Sequence, residues 1–146
     1  MLVVAYIGFG NSVCVYHLPY VADRDFIKVK YIYRRQEDRV GDTERESWYP
    51  HITFTSDIDQ VMKDPEVNLV VVNTPDAFHV SYTKLALENG KNVLCEKPFA
   101  MSAHEAQQVF AMAKEKGLEG LANIILLQMT KNPLEEEAKA YLSEEK

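Results

Sequence analysis

Short apolar runs alternate along this chain with longer stretches in which apolar residues recur at helical spacing. The runs are rich in β-branched and aromatic residues, which favours strands. The run at residues 68–72 is almost continuous leucine and valine, as expected of a parallel strand that is covered on both faces. We predict five strands in this way, at residues 2–7, 27–33, 52–54, 68–72 and 93–95.

Helical patterns fill most of the intervals between these strands. They predict helices at residues 12–21, where Pro19 would shorten or kink the helix, and at 57–62, 74–89 and 102–116. Thr74 and Pro75 suit the N-cap and first position of the third helix, and Gly90 suits its left-handed end. Ser102 and Glu105 form a capping box for the fourth. This alternation predicts an α/β fold with a parallel sheet and right-handed crossovers.

Two regions depart from the alternation. Residues 34–50 are polar and charged without a clear period, and we expect a surface loop there. Residues 121–129 are strongly apolar and suit a buried strand or a helix segment equally well, and Asn132-Pro133 then begins a charged helix. We therefore expect a main domain at residues 1–120 and an atypical segment at 121–146, whose apolar part would favour a homo-oligomer.

Composition narrows the class of protein. The chain has 146 residues, enough for one domain with its own core. A net charge of -6 and a pI of about 5.2 argue against nucleic acid or a membrane surface as partner, and no apolar run approaches the roughly 20 residues of a membrane span. Cys14 and Cys95 suggest no disulfide framework, so we expect a cytoplasmic location. The histidines and cysteines lack metal-ligand spacing, and no metal site is predicted.

A glycine turn follows the first predicted strand. It reads Gly8-Phe9-Gly10-Asn11-Ser12-Val13, with valine where a dinucleotide fingerprint has its third glycine. The first glycine permits a tight turn, the second lets the backbone approach a pyrophosphate, and the helix N-terminus supplies free N–H groups. An ordinary glycine turn would share this pattern, but its position between a strand and a helix favours phosphate binding.

Two arginines end the second predicted strand. Arg34 and Arg35 stand where NAD-binding proteins usually carry an acidic residue for the ribose hydroxyls. Guanidinium groups bind a 2′-phosphate through paired hydrogen bonds, so this position favours NADP over NAD. A solvated charged strand end is the alternative, and the nearby Glu37 and Asp38 leave an acidic contact with NAD open.

Several short motifs together resemble the Gfo/Idh/MocA family of NAD(P)-dependent oxidoreductases. The resemblance covers about residues 1–118, and Glu-Lys-Pro after a late strand is its most specific element. The motifs are Gly8-Phe9-Gly10, Tyr16-His17-Leu18-Pro19, Tyr33-Arg34-Arg35, Asn73-Thr74-Pro75 with His79, and Glu96-Lys97-Pro98.

This resemblance implies a Rossmann-type, doubly wound, three-layer sheet that binds the dinucleotide, and hydride transfer to or from a sugar-like hydroxyl or carbonyl carbon. It implies that Lys97 lies near the nicotinamide and the substrate hydroxyl as the catalytic residue, and that the Lys97-Pro98 bond is cis. The cofactor-binding residues it implies include Asn73, Thr74, Pro75, His79, Glu96, Lys97 and Pro98.

The resemblance ends after Leu118. The resemblance implies a second α/β domain that supplies an aspartate and a histidine for proton transfer, and we expect that domain to be missing here, because the residues after Leu118 depart from the family pattern. Acid–base chemistry needs a group within hydrogen-bond reach of the reacting hydroxyl, so dinucleotide binding is the firmer expectation and turnover the weaker one. The alternatives are a cofactor-sensing or interaction module without catalysis, and a truncated, inactive relative.

Overall fold

The computed structural model describes residues 1–117, and these form an all-parallel sheet of five strands in the order β3-β2-β1-β4-β5. Each strand lies within one residue of its predicted bounds, and the predicted α/β fold is confirmed. The strands are β1 (Leu2–Ile7), β2 (Ile27–Tyr33), β3 (Thr53–Thr55), β4 (Leu69–Val72) and β5 (Asn92–Cys95).

Successive residues of the central strands enter two different cores, because side chains alternate between the faces of a sheet. In β1, Ala5 and Ile7 pack in one core, whereas Val4 and Tyr6 pack in the other. The four residues are at most 2% exposed. Both faces of the sheet are therefore covered at its centre, which explains why β1 and β4 have no polar face in the sequence.

Helices form a layer on each face of the sheet. A π-helix (Ser12–His17) continues into α1 (Leu18–Ala22) on one face. The helices α3 (Ile58–Met62), α4 (His79–Glu88) and α5 (Ala103–Glu115) contribute to the core on the other face. The three-layer, doubly wound arrangement is confirmed. None of the helices within residues 1–117 has the length and apolar character needed to cross a membrane.

The first predicted helix differs from the regular α-helix that its sequence suggests. Its first half is a π-helix, in which the N–H of Leu18 donates to the carbonyl of Val13, five residues earlier. Val13 and Leu18 are both buried in the same core, so this spacing of five keeps them on one face. Pro19 lies in the first turn of α1, directly after the π-helix, so the proline expected to shorten or kink the helix stands at a change of helix type.

Two predictions of local structure are wrong. Residues 34–50 are not a plain loop, because they contain α2 (Gln36–Arg39) and a 3₁₀-helix (Glu44–Trp48). Nor does Thr74 cap the next helix: a 3₁₀-helix (Asp76–Phe78) precedes α4, and Pro75 occupies its N-cap position. Residues 34–50 adopt this defined structure because their arginines and carboxylates form the ion pairs described below.

The predicted helix caps around β5 and α5 are confirmed. Gly90 has a φ of 70°, the left-handed conformation that ends α4. The Glu105 N–H donates to Ser102 Oγ at 3.2 Å, and the Glu105 carboxylate accepts from the Met101 N–H at 3.1 Å. The expectations for residues 121–129, for the charged helix after Asn132 and for self-association fall outside the described residues.

Gly8 lies where β1 passes closest to the end of β4. Its φ is 108°, and a Cβ atom there would lie 2.6 Å from the carbonyl oxygen of Asn73. Its N–H donates to the Tyr33 carbonyl at 2.9 Å, which joins the turn to the end of β2 as well. A side chain at this position is therefore excluded by backbone conformation and by space.

We predict that Gly8→Ala lowers the free energy of unfolding by about 3 kcal/mol, because it combines a strained φ with a backbone clash. Gly10→Ala is the matched control, since a Cβ at Gly10 meets nothing within 4 Å, and we expect a change within about 1 kcal/mol. Urea unfolding followed by circular dichroism measures both. Equal stability of the two variants would contradict the close approach.

Candidate functional site

A cleft of about 250 Å³ opens at the carboxyl ends of β1, β2 and β4. Strand order reverses between β1 and β4, because successive strands are added on opposite sides of β1. In open α/β sheets, ligands bind at such a switch point. The residues that line the cleft are Gly8, Phe9, Gly10, Tyr33, Arg34, Arg35, Asp38, Asn73, Thr74, Pro75, Phe78 and Tyr82.

The wall formed by the end of β4 contains two buried oxygens that lack partners in the described part of the chain. Asn73 Oδ1 and Thr74 Oγ1 find no hydrogen bond among residues 1–117, whereas Asn73 Nδ2 donates to Ser12 Oγ at 3.2 Å. A buried acceptor or hydroxyl without a partner costs free energy, so such atoms suggest a missing ligand. A dinucleotide carries ribose hydroxyls and an amide that could supply these hydrogen bonds. The wall therefore fits that class of ligand.

The glycine turn forms the opposite wall. Gly8, Phe9 and Gly10 line the cleft, and the space above Gly10 is open. The Phe9 side chain turns away into the core, where its ring contacts Phe54 edge-on at 5.0 Å. No acidic residue lies in the first turn of the following helix, which leaves its N-terminus compatible with an anion. The turn exposes backbone to the cleft and keeps its large side chain out of it.

Arg34 is buried in a cluster of charges. Its side chain is 5% exposed; Nη1 donates to Glu46 Oε1 at 2.8 Å and Nη2 to Asp42 Oδ2 at 2.6 Å. It also donates to the backbone carbonyls of Asp38 and Asp42 and lies over the Phe9 ring. Most of its donors are therefore occupied by this protein's own oxygens.

Arg35 differs from Arg34 in exposure and in partners. Its side chain is 38% exposed, and it donates to both oxygens of Asp38, at 2.8 and 2.9 Å. These hydrogen bonds, first among several causes, raise the pKa of Arg35. The guanidinium lies 5.5 Å from the centre of the Phe78 ring. Arg35 and Asp38 thus form an exposed, paired cation and anion at the rim of the cleft.

Sequence reasoning missed an aromatic wall of the cleft formed by Tyr33, Phe78 and Tyr82. The ring centres of Tyr33 and Tyr82 lie 6.0 Å apart, and those of Phe78 and Tyr82 lie 6.5 Å apart. Burial, together with the hydrogen bond to Tyr82, raises the pKa of Tyr33 to about 12, so this phenol stays neutral at physiological pH. The spacing of four between Phe78 and Tyr82 was the available signal, because it places both on one helix face.

The Glu96-Lys97-Pro98 turn follows β5, beside the end of β4. The Glu96 N–H donates to the Val72 carbonyl at 3.0 Å, and the Lys97-Pro98 peptide bond is cis, as expected. Lys97 is exposed, and no ion pair of its ammonium is found within residues 1–117. The turn does not line the cleft itself but stands next to Asn73 at the neighbouring strand end.

The remaining predicted residues lie next to the cleft but do not line it. The Val13 side chain is completely buried, so only its backbone can face a ligand. His79 is 1% exposed, with Nδ1 2.7 Å from the Pro98 carbonyl oxygen and Nε2 2.7 Å from that of Thr74. Asn11 and Ser12 start the π-helix beside the turn without lining the cleft.

This fold and this cleft define a dinucleotide-binding α/β domain, and comparison with known proteins identifies its family. Residues 2–122 match the Gfo/Idh/MocA oxidoreductase family, described by its NAD-binding Rossmann fold. The chain belongs to this family.

Two relatives illustrate the range of similarity. The chain is 51% identical over 115 residues to the uncharacterized oxidoreductase YhhX of Escherichia coli, and the match covers 78% of this chain and 32% of the relative. It is 29% identical over 115 residues to the scyllo-inositol 2-dehydrogenase (NADP(+)) IolW of Bacillus subtilis, covering 79% of this chain and 31% of that protein. The chain thus spans about a third of the length of these curated relatives.

Solved structures show the same relationship. The crystal structure of the probable oxidoreductase YhhX superposes with a TM-score of 0.74 at 50% identity, covering 81% of this chain and 34% of that one. A structure of KijD10, a 3-ketoreductase from Actinomadura kijaniata in complex with NADP and TDP-benzene, superposes with a TM-score of 0.71 at 27% identity, covering 80% of this chain and 35% of that one.

A metal centre is not apparent in the part of the chain that the structure describes. No group of three or more histidine, cysteine, aspartate or glutamate side chains within residues 1–117 could hold a metal ion. Both cysteines are free, and burial raises the pKa of Cys95 to about 12, so its thiol is protonated at physiological pH.

We predict that Asp42 makes the stability of the fold depend on acidity. Hydrogen bonds from Arg45 and then Arg34 lower the pKa of Asp42 to about 2, against about 3.9 in an unfolded chain. A lowered folded-state pKa adds stability above about pH 4 that is lost as the pH falls toward about 2. Asp42→Asn should therefore destabilise the protein near neutral pH, with a difference from wild type that shrinks below about pH 4.

Urea unfolding at a series of pH values measures this difference. Asp25→Asn is the control, because Asp25 is exposed and takes part in no ion pair found among residues 1–117. A destabilisation by Asp42→Asn that stays constant down to about pH 2 would show that the charge of Asp42 is not the cause.

Proposed function

We propose that this domain binds NADP in the cleft at the switch point and serves as the cofactor-binding part of an oxidoreductase. The observation that carries the proposal is the composition of that cleft. The glycine turn, the unpaired oxygens of Asn73 and Thr74, and the exposed guanidinium of Arg35 stand around one opening at the carboxyl edge of the sheet. These are the groups that recognise pyrophosphate, ribose and a 2′-phosphate.

The pyrophosphate would lie against the glycine turn. Gly8 and Gly10 bring the backbone to the cleft without side chains, and the N–H groups of Asn11, Ser12 and Val13 begin the adjoining helix. Valine at the third fingerprint position is compatible with this role, because its side chain packs inward and its backbone remains available.

Arg35, rather than Arg34, would bind the 2′-phosphate. Arg34 is buried and bound to Asp42 and Glu46, so a phosphate would have to break several charge-assisted hydrogen bonds to reach it. Arg35 pairs with two exposed carboxylates, Asp38 and, at 3.3 Å, Glu37, and both can be exchanged for phosphate at low cost, because exposed ion pairs contribute little. Arg34 would instead hold the backbone of the region that presents Arg35.

Asp38 would favour NAD at the position where Arg35 would favour NADP. A free carboxylate accepts hydrogen bonds from the ribose hydroxyls of NAD and repels a 2′-phosphate. In the hydrogen-bonded pair, each side chain masks the other. The preference for NADP therefore depends on whether the phosphate binds Arg35 more strongly than Asp38 does.

The nicotinamide would lie toward the β4 and β5 strand ends, near Lys97. When bound, the nicotinamide supplies or accepts a hydride. Asn73, Thr74 and Pro75 would form the adjoining wall, with Glu96 and Pro98 holding the turn that carries Lys97 and His79 supporting it from below. The Lys97 ammonium would polarise a substrate oxygen and hold its proton at Nζ.

A sugar-like hydroxyl or carbonyl carbon is the substrate class that we propose. The names of two relatives support it: scyllo-inositol 2-dehydrogenase (NADP(+)), and D-xylose 1-dehydrogenase (NADP(+)) from Hypocrea jecorina, which is 48% identical over 59 residues. We also propose a cytoplasmic location, which suits two free cysteines and a nicotinamide cofactor.

We predict that Arg35→Ala weakens NADPH binding by about tenfold and leaves NADH binding unchanged or stronger, because Asp38 is then freed for the ribose hydroxyls. Asp38→Asn should change the ratio of the two affinities in the opposite direction. Calorimetric titration of each variant with NADPH and NADH measures this ratio.

Arg34→Ala is the matched control for the loss of a guanidinium. Because it removes a buried partner of Asp42 and Glu46, we expect it to lower the free energy of unfolding by about 3 kcal/mol. The affinity ratio of the molecules that remain folded should stay close to wild type. A change in this ratio for Arg34→Ala and none for Arg35→Ala would reverse the assignment of the two arginines.

We predict that any turnover of the chain with NADPH and a keto-sugar depends on Lys97. Lys97→Met should reduce the rate of NADPH oxidation at saturating NADPH by at least about a hundredfold, since the substrate oxygen loses its acid. Absorbance at the reduced-nicotinamide band, with Lys84→Met on the helix surface as control, measures the rate. A rate insensitive to Lys97→Met would contradict its catalytic role.

A further inference from the structure

We infer that His17 is a positioning residue for the turn that carries Lys97, and that it acts through the carboxylate of Glu96. The inference rests on the proposed NADP site, because it concerns the end of that site where the nicotinamide would bind. It assigns a role to a histidine that does not line the cleft.

The contact between His17 and Glu96 joins two distant parts of the chain. His17 Nε2 lies 2.7 Å from Glu96 Oε1, and the two residues are 79 positions apart in the sequence. Their side chains are 17% and 23% exposed, so the hydrogen bond is largely screened from water. A hydrogen bond to a carboxylate in such a setting is stronger than one between neutral groups.

The Glu96 carboxylate also accepts a hydrogen bond from the backbone of Lys97. Its second oxygen, Oε2, accepts a hydrogen bond from the Lys97 N–H at 3.3 Å. One carboxylate therefore binds His17 on the first helix and the backbone of the residue proposed to polarise the substrate. If His17 is lost, Glu96 is free to rotate, and the Lys97 N–H loses its acceptor.

The surroundings fix the position of the His17 ring. Tyr6 of β1 is buried, and its ring meets that of His17 edge-on at a distance of 5.6 Å and an angle of 88°. The π-helix sets the direction of the side chain, because its wider turn rotates His17 relative to an α-helical register. π-Helical turns are often found at functional sites, and here the turn aims a side chain at β5.

A second histidine holds the same turn from α4. His79 Nδ1 lies 2.7 Å from the Pro98 carbonyl oxygen, and Nε2 lies 2.7 Å from the Thr74 carbonyl oxygen. Lys97 and Pro98 are thus tied to the first helix through Glu96 and to the β4 end through His79. The contact between His17 and Glu96 uses part-buried side chains, whereas His79 is 1% exposed, so His17 can be replaced with less disturbance of the core than His79.

The experiment compares the binding of NADPH with the binding of 2′,5′-ADP, which lacks the nicotinamide half. His17→Leu should weaken NADPH binding by about tenfold and leave 2′,5′-ADP binding within about twofold, because only the nicotinamide end depends on the Lys97 turn. His17→Gln should restore most of the affinity, since its amide can donate to Glu96. In a Glu96→Gln background, His17→Leu should have less than about a twofold effect. His104→Leu, on the exposed face of α5, is the control.

A measurement without cofactor tests the inference independently. The amide hydrogen of Lys97 should exchange with solvent at least about fivefold faster in His17→Leu than in wild type, while that of Val71 in β4 should be unchanged. Unchanged exchange at Lys97, or equal weakening of NADPH and 2′,5′-ADP, would overturn the inference. Faster exchange at Lys97 in a protein that binds neither ligand would support the role of His17 and refute the proposed NADP site.

Discussion

The architecture of the cleft depends on the contact between Gly8 and the carbonyl of Asn73. At this point β1 ends in a turn that passes within van der Waals distance of the backbone that follows β4. A side chain at Gly8 would push the two strand ends apart and move the Asn73 and Thr74 oxygens away from the glycine turn. One residue without a Cβ atom therefore sets the width of the opening.

A second constraint acts on the charged residues that follow β2. The buried guanidinium of Arg34 requires carboxylate partners, because an unpaired buried charge is costly. Residues 34–48 contain four arginines and five carboxylates. Arg34 and Arg39 share Glu46, and Arg34 and Arg45 share Asp42. These shared carboxylates order a polar segment that has little apolar surface to bury. The segment in turn holds Arg35 and Asp38 at the rim of the cleft, where their charges face solvent.

The sequence predicted correctly those elements whose structure is determined by nearby residues. Short runs of apolar and β-branched residues predicted all five strands, most clearly β1 and β4, which are buried on both faces. Gly90 and the Ser102–Glu105 pair predicted helix ends through local conformation and hydrogen bonding alone. Sequence reasoning failed where a distant partner decides the outcome. The order of residues 34–50 comes from ion pairs between arginines and carboxylates up to twelve residues apart, which leave no hydrophobic period.

In the candidate functional site, too, features with a local sequence pattern could be predicted, and features that depend on distant contacts could not. The glycine turn, the two arginines and the Glu-Lys-Pro motif could be found from the sequence, but the difference in burial between Arg34 and Arg35 could not. Adjacent residues at a strand end point to opposite sides, and only the folded chain shows which side is buried. The contact of His17 with Glu96 is likewise invisible in the sequence, because a π-helical turn directs it.

The pairing of β1 with both β2 and β4 has a consequence for how this protein is made. During synthesis the glycine turn emerges about 60 residues before β4, which forms its opposite wall. Closing so long a loop costs entropy that only the completed sheet repays, so folding of the central strand is a late and non-local event. A nascent chain therefore carries the glycine turn long before it has the cleft that the turn lines.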